Sequence, residues 1–149
     1  MARGGPRLVG TALLVLVGAA CSRAPITTCH DDLRGVYVSG AERWMVLDDG
    51  ATLEAYPLFP DGGGVPGLEV APRVIELART PGEAGIAGTL RRRYMQHAAR
   101  CDAKVPVHVT RCAGDTLELV LADPSQPTQL APCTWPRPGA SRVERWQRQ

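Results

Sequence analysis

From residue 29 onward, apolar and polar positions alternate along the chain far more than they recur at helical spacing. That is the period-two signature of half-buried strands. The clearest unit is 42–56, ERWMVLDDGATLEAY, in which two strand-like runs flank Asp49-Gly50. This pair suits a type I′ turn, whose two central residues both need positive φ. Pairing across it sets Trp44 and Val46 on one face with Leu53 and Ala55, and Met45, Leu47 and Tyr56 on the other with Thr52 and Glu54.

A second meander runs from Gly85 to Ala122. Val105, Val107 and Val109 alternate with Pro106, His108 and Thr110, and Ala113-Gly114-Asp115 leads into TLELVL. A hairpin with its glycine in a left-handed conformation sets Val109 opposite Leu119 and Val107 opposite Leu121. Residues 89–97 are expected to pair on the far side, through a loop near 98–103. Shorter strands are expected at 35–39, 73–79 and 142–146, and the best helical stretch, 144–149, is too short to stand alone. The expectation is an all-β chain, a small antiparallel barrel or sandwich of seven or eight strands with two disulfides. Two connections, 57–72 and 122–140, are long and rich in proline, and loops of that length are commonly functional.

Cysteine spacing constrains the pairing. Ten residues, read mostly as one strand, separate Cys101 from Cys112. At ~3.3 Å per residue the two stand about 30 Å apart, beyond the reach of one bond. The next strand returns toward Cys101 with Cys133 behind it, so the expected bridges are Cys101–Cys133 and Cys29–Cys112.

The first residues are built differently. Residues 1–7 hold two arginines and no acid, 8–20 read LVGTALLVLVGAA, and Cys21 follows. A bilayer span needs about 20 apolar residues, so this shorter run reads as the apolar centre of a cleavable export signal. The cysteine directly after Ala19-Ala20 makes the region resemble a bacterial lipoprotein signal with its lipobox. Gly18 departs from that pattern, standing where leucine is usual, and Gly18-x-Ala20 also suits a peptidase that releases a soluble protein. Setting Cys21 aside leaves four cysteines, an even number suited to disulfides in an oxidising compartment.

The resemblance implies cleavage before Cys21, diacylglycerol on its thiol and an acyl chain such as palmitate on its freed amine. It implies a signal peptide at 1–20 and a lipidated cysteine with its tether at 21–28, and says nothing of the body, where the period-two pattern makes 29–149 one β-domain. Localisation would be the cell envelope, and Ser22 after the lipid cysteine implies the outer membrane where the host has two. A second, fainter pattern lies in the body: Gly35-x-Tyr37 on the first strand, with Trp146 near an arginine at the end, resembles lipocalin-type barrels. Their first motif is Gly-x-Trp, so Tyr37 departs from it, and the resemblance implies architecture alone.

Charge removes one class of partner. Of 17 basic residues 16 are arginine, and beyond residue 20 the count is 15 basic against 15 acidic. A nucleic-acid binder needs a basic footprint, and the run Arg91-Arg92-Arg93 does not share one strand face. Nucleic acid is not an expected partner.

Candidate chemistry is sparse. His30, His97 and His108 lack metal-ligand spacing and the cysteines lack a Cys-x-x-Cys pair, so no metal or other cofactor is expected. No serine lies in Gly-x-Ser-x-Gly, and Gly62-Gly63-Gly64 is not followed by the lysine of a phosphate loop. Asp48-Asp49 is accounted for by the turn and Asp31-Asp32 by a solvated approach to the first strand. No catalytic residue is assigned.

Four residues stand out as ligand or interface candidates. Strand parity puts Arg92 and Arg111 on the face of Tyr94, Val107 and Val109, where an arginine needs a carboxylate or a wet cavity. The alternative is a bulge that flips the register, or a place at an open rim. Trp135, in TWPRPG, either anchors an interface or caps the core beside a disulfide. The expected function is a lipid-anchored, non-enzymatic binding module meeting an envelope protein near the membrane. The alternatives are a lipocalin-like carrier of a small apolar ligand and a periplasmic protease inhibitor.

Overall fold

The computed structural model describes residues 26–58, 68–80, 85–122, 124–137 and 139–149. The signal region, Cys21 and the triple glycine at 62–64 lie outside the described residues. The strands are β1 (Gly35–Ser39), β2 (Glu42–Asp48), β3 (Thr52–Pro57), β4 (Glu69–Val70), β5 (Val74–Arg79), β6 (Ile86–Gln96), β7 (Ala99–Ala113), β8 (Thr116–Leu121), β9 (Gln129–Leu130), β10 (Cys133–Thr134) and β11 (Arg142–Arg148). Eight of them form an antiparallel meander in the order β1, β2, β3, β5, β6, β7, β8, β11. β6 pairs with β7, and β11 pairs back onto β1, so the sheet closes on itself. The chain is therefore a closed up-and-down barrel and not a sandwich. β4 adds a two-residue rung to β6, and β9 and β10 make a separate small hairpin.

Alternation decides which face turns inward. Trp44 and Val46 on β2 meet Ala55 and Leu53 on β3 inside the barrel, and Val107 and Val109 face Leu121 and Leu119. Trp44 and Trp146 stack at 4.9 Å between ring centroids, with Tyr37 at 6.3 Å from Trp146. Outward positions carry Arg43, Glu54, Glu76, Arg91, Asp102, Lys104, His108, Glu118 and Arg145. A barrel that spans a bilayer wears an apolar band on that surface; this one wears charge.

Three local details differ from the sequence reading. The turn after β2 is centred on Gly50-Ala51, and only Gly50 has positive φ, 93°. Asp49 instead accepts hydrogen bonds from the backbone of Ala51 and Thr52 and from the Thr52 hydroxyl, which moves the corner one residue on. The link between β6 and β7 is His97-Ala98 alone, so Cys101 sits within β7, not in a loop. The core also takes in Ile26, which is 1% exposed and bridges to Gly114, so packed chain begins before Cys29.

Both expected disulfides form: Cys29–Cys112, with Cα atoms 5.1 Å apart, and Cys101–Cys133, at 5.8 Å. The first pins the N-terminal segment across one end of the barrel. The second ties the β9–β10 hairpin to the far part of β7.

Candidate binding site at the barrel mouth

The two ends of the barrel differ. At the end where β1 begins, the segment from Ile26 to Arg34 lies across the opening. Leu33 is fully buried and its carbonyl accepts from the Tyr37 hydroxyl at 2.9 Å. Arg79 closes this cap by donating to both carboxylate oxygens of Asp48 and to the carbonyls of Cys29 and Asp31. Burial pushes the Asp48 carboxyl up, but Arg79 and the amides of Leu33 and Gly50 outweigh it and hold it below the usual value. Asp32 is held at about 2 by its paired hydrogen bonds from Arg34. Arg148, in the last strand, donates to the Arg34 carbonyl at 2.6 Å and ties the chain's end to the same cap.

At the opposite end lie the described residues that begin and end the two long connections, and the inward-facing polar groups. Glu42 accepts from the Trp44 indole at 3.2 Å, and Glu144 accepts from the Trp146 indole at 2.9 Å. Arg73 pairs with Glu42 and stands over the Trp44 ring at 5.3 Å, while Arg142 pairs with Glu144. Two carboxylates and their arginines thus form a polar ring above a stacked indole floor. The tripeptide Glu-Arg-Trp occurs twice, at 42–44 and 144–146. That repeat was the legible sign of the paired carboxylates, and the sequence reading passed over it.

Arg92 points inward as parity implied, between Leu90 and Tyr94 on β6. Its guanidinium lies 5.8 Å from the centre of the Tyr94 ring, and its buried Nε has no hydrogen-bond partner among the described residues. Glu76 and Glu118 do not serve it, because Glu76 pairs with Arg91 and Glu118 with Arg145. Tyr94 is buried and donates to the Pro124 carbonyl at 3.1 Å, and Trp135 meets its edge at 6.1 Å. Arg92, Tyr94 and Trp135 therefore come together. Arg111 does not join them, because a bulge between Val109 and Arg111 reverses its side, leaving it exposed. Trp135 is 39% exposed, so it covers Tyr94 with one edge and keeps the rest at the surface.

Beside Trp135 runs a groove of about 370 Å³ between β7 and the 124–136 loop. Among the described residues no cluster of three His, Cys, Asp or Glu side chains is placed to hold a metal ion. The paired carboxylates at the closed end are consumed by turn and cap bonds, Asp49 by Thr52 and Asp31 by Thr27 and Thr28. The chain matches no protein-family model, no curated protein and no solved structure. What defines it is the arrangement itself: a barrel stoppered at one end, with a polar mouth and a tryptophan-edged groove at the other.

Proposed function

We propose that this protein is a non-enzymatic binding module of the bacterial cell envelope, anchored through lipid on Cys21, and that its loop-bearing end meets a partner protein. The observation that carries the reading is the polarity of the barrel. The N-terminal segment docks into the closed end through Ile26 and Leu33. Only residues 22–25 separate Ile26 from Cys21, a reach of about 18 Å at full extension. An acylated Cys21 therefore puts the closed end toward the bilayer and the mouth, with Trp135 and both long loops, away from it. Acyl anchoring concentrates the module at the surface, so modest contacts suffice for capture.

The test is the denaturing intact mass of the protein taken from bacterial envelopes, with and without reductant. The expected species lacks residues 1–20, carries acyl chains and gains about four mass units as two disulfides open. A lipid-free species would overturn the anchor. Photo-crosslinking from Gln126, on the exposed loop, is then expected to capture one envelope protein.

One observation favours a second reading, a carrier of a small amphipathic anion. Among the described residues Arg92 presents a guanidinium with no ionic partner beside aromatic Tyr94, a combination suited to a carboxylate attached to an apolar body. Native mass spectrometry of the purified protein checks it: a bound molecule lost in Arg92→Leu supports the carrier, and a bare mass removes it.

A further inference from the structure

β7 outlasts its partner. β8 stops pairing at Leu121, opposite Val107, whereas β7 begins at Ala99. Before Val107, β7 is paired through its ladder with β6 on one side only. The β6–β7 hairpin closes on Gln96 and Ala99, and in an antiparallel ladder alternate pairs exchange both hydrogen bonds. Counting from the closing pair, Ala99, Cys101, Ala103 and Val105 spend their amides and carbonyls on β6. Arg100, Asp102 and Lys104 turn theirs to the other side, where Cys133 Sγ lies 3.4 Å from the Arg100 carbonyl and the groove begins at Asp102.

An independent bond supports this phase. Arg93, opposite Asp102, gives its carbonyl to the Ala71 amide on the other edge of β6, not to β7. Pro106 falls in the outward phase too, where its missing N–H breaks no ladder bond. Among the described residues no backbone partner from the neighbouring loop reaches Asp102 or Lys104.

This open row is the wall of the groove beside Trp135. Residues 102–105 form one side, and Pro124, Ser125, Trp135 and Pro136 the other. Side chains alternate along the row. Ala103 and Val105 face the Trp135 side, whereas Arg100, Asp102 and Lys104 face out. The outer face is net positive, since Arg93 and Arg100 share the single carboxylate of Asp102 and Lys104 makes no ion pair among the described residues.

We propose that the edge of β7 at residues 102–104 docks an extended acidic segment of a partner protein as an added strand. Backbone bonds to Asp102 and Lys104 hold it in register, alternate apolar residues face Val105 and Trp135, and the intervening Asp or Glu residues lie over Arg100 and Lys104. The proposal rests on the binding-module reading and names the chemistry of the partner.

The probe is the peptide acetyl-Glu-Val-Glu-Val-Glu-Val-amide, with a Lys-Val counterpart, added to the full chain in detergent. Binding is followed by anisotropy of labelled peptide and by amide exchange. The acidic peptide is expected to bind at least tenfold more tightly than the basic one, about 1.4 kcal/mol, and to slow exchange at the Asp102 and Lys104 amides. Lys104→Pro, which deletes the outward donor as Pro106 already does, should cost at least tenfold, whereas Lys104→Gln keeps the donor and should cost about threefold. Equal binding of the two peptides, unchanged exchange at both amides, or full binding by a folded Lys104→Pro chain would overturn the proposal. So would a dimer that protects those amides without peptide, because the edge would then belong to a second copy. Exchange in the unmodified chain decides the matter even if the proline variant fails to fold. Anchoring and crosslinking in envelopes are independent of this edge, so failure here and failure of the broader reading are distinguishable.

Discussion

At the scale of single residues, the closed end depends on a few polar contacts with no slack. Asp48 and Arg79 are 3% and 10% exposed at their side chains, and they hold the cap to the barrel rim. Asp48→Asn removes the charge opposite Arg79, and a loss of about 2–3 kcal/mol is expected, somewhat under that of a fully buried pair. Chemical denaturation measures it. The pH dependence follows from the sign of the shift. The Asp48 carboxyl is depressed in the folded chain, so the unfolded chain, with an aspartate near 3.9, takes up the proton first as pH falls. The stability it contributes is complete above about pH 5 and is lost as pH drops through 3.9 toward the folded value. Asp31, Asp32, Asp49 and Asp102 are depressed too and titrate in the same direction. The acid limb of the stability curve should therefore become shallower in Asp48→Asn, not vanish. Gly88 is constrained by space: a Cβ there would run into the carbonyl of Glu76 and lie 2.8 Å from Leu77 Cα. Gly88→Ala should lower stability by about 1–3 kcal/mol through overpacking against backbone, which cannot yield as a side chain can. A thermal melt reads it directly.

At the scale of elements, the two disulfides separate in their consequences. Cys29–Cys112 holds the N-terminal cap to the β7 end, and Cys101–Cys133 holds the β9–β10 hairpin to β7 outside the region that β8 covers. Replacing both Cys101 and Cys133 by serine should loosen residues 124–137 while the barrel ladder keeps its protection. Replacing Cys29 and Cys112 should expose Ile26 and cost about 2–4 kcal/mol of global stability. Amide exchange distinguishes the two, since local opening and global unfolding give different protection patterns. Both bridges were legible from spacing because a strand cannot bend back on itself within ten residues. A bulge that flips the register was the stated alternative to an inward arginine and holds at Arg111 and not at Arg92; its place was not legible, since it leaves the apolar alternation of Val107 and Val109 intact and displaces one polar residue. The same limit applied at Gly50, where Asp49 side-chain bonds chose the corner.

At the scale of the whole molecule, barrel polarity and anchor position combine. With lipid on Cys21, a nitroxide at Asp115, in the turn beside the cap, should be broadened by a paramagnetic lipid headgroup, and one at His97 should not. The two sites lie at opposite ends of β7, a strand whose residues extend up to about 50 Å. Equal broadening would place the barrel on its side. Among the site residues, Arg92, Tyr94 and Trp135 were readable as candidates because strand parity and an aromatic in a proline-rich loop are local features. Glu42 and Glu144 left one trace, the repeated Glu-Arg-Trp, but nothing local in it tells that the two tryptophans will stack and bring their carboxylates to the same mouth, and Arg73 left none.

Alternation of apolar residues, turn glycines and cysteine spacing were enough to establish an antiparallel β-domain with these two disulfides, since each acts over a few residues or through the rigid length of one strand. Only the tertiary structure decided that the sheet closes on itself, which end is stoppered and where β7 runs on past the end of β8. Those features arise from contacts between residues far apart in the chain, Tyr37 with Arg148, Cys29 with Arg79, Tyr94 with Pro124, and no local pattern carries them.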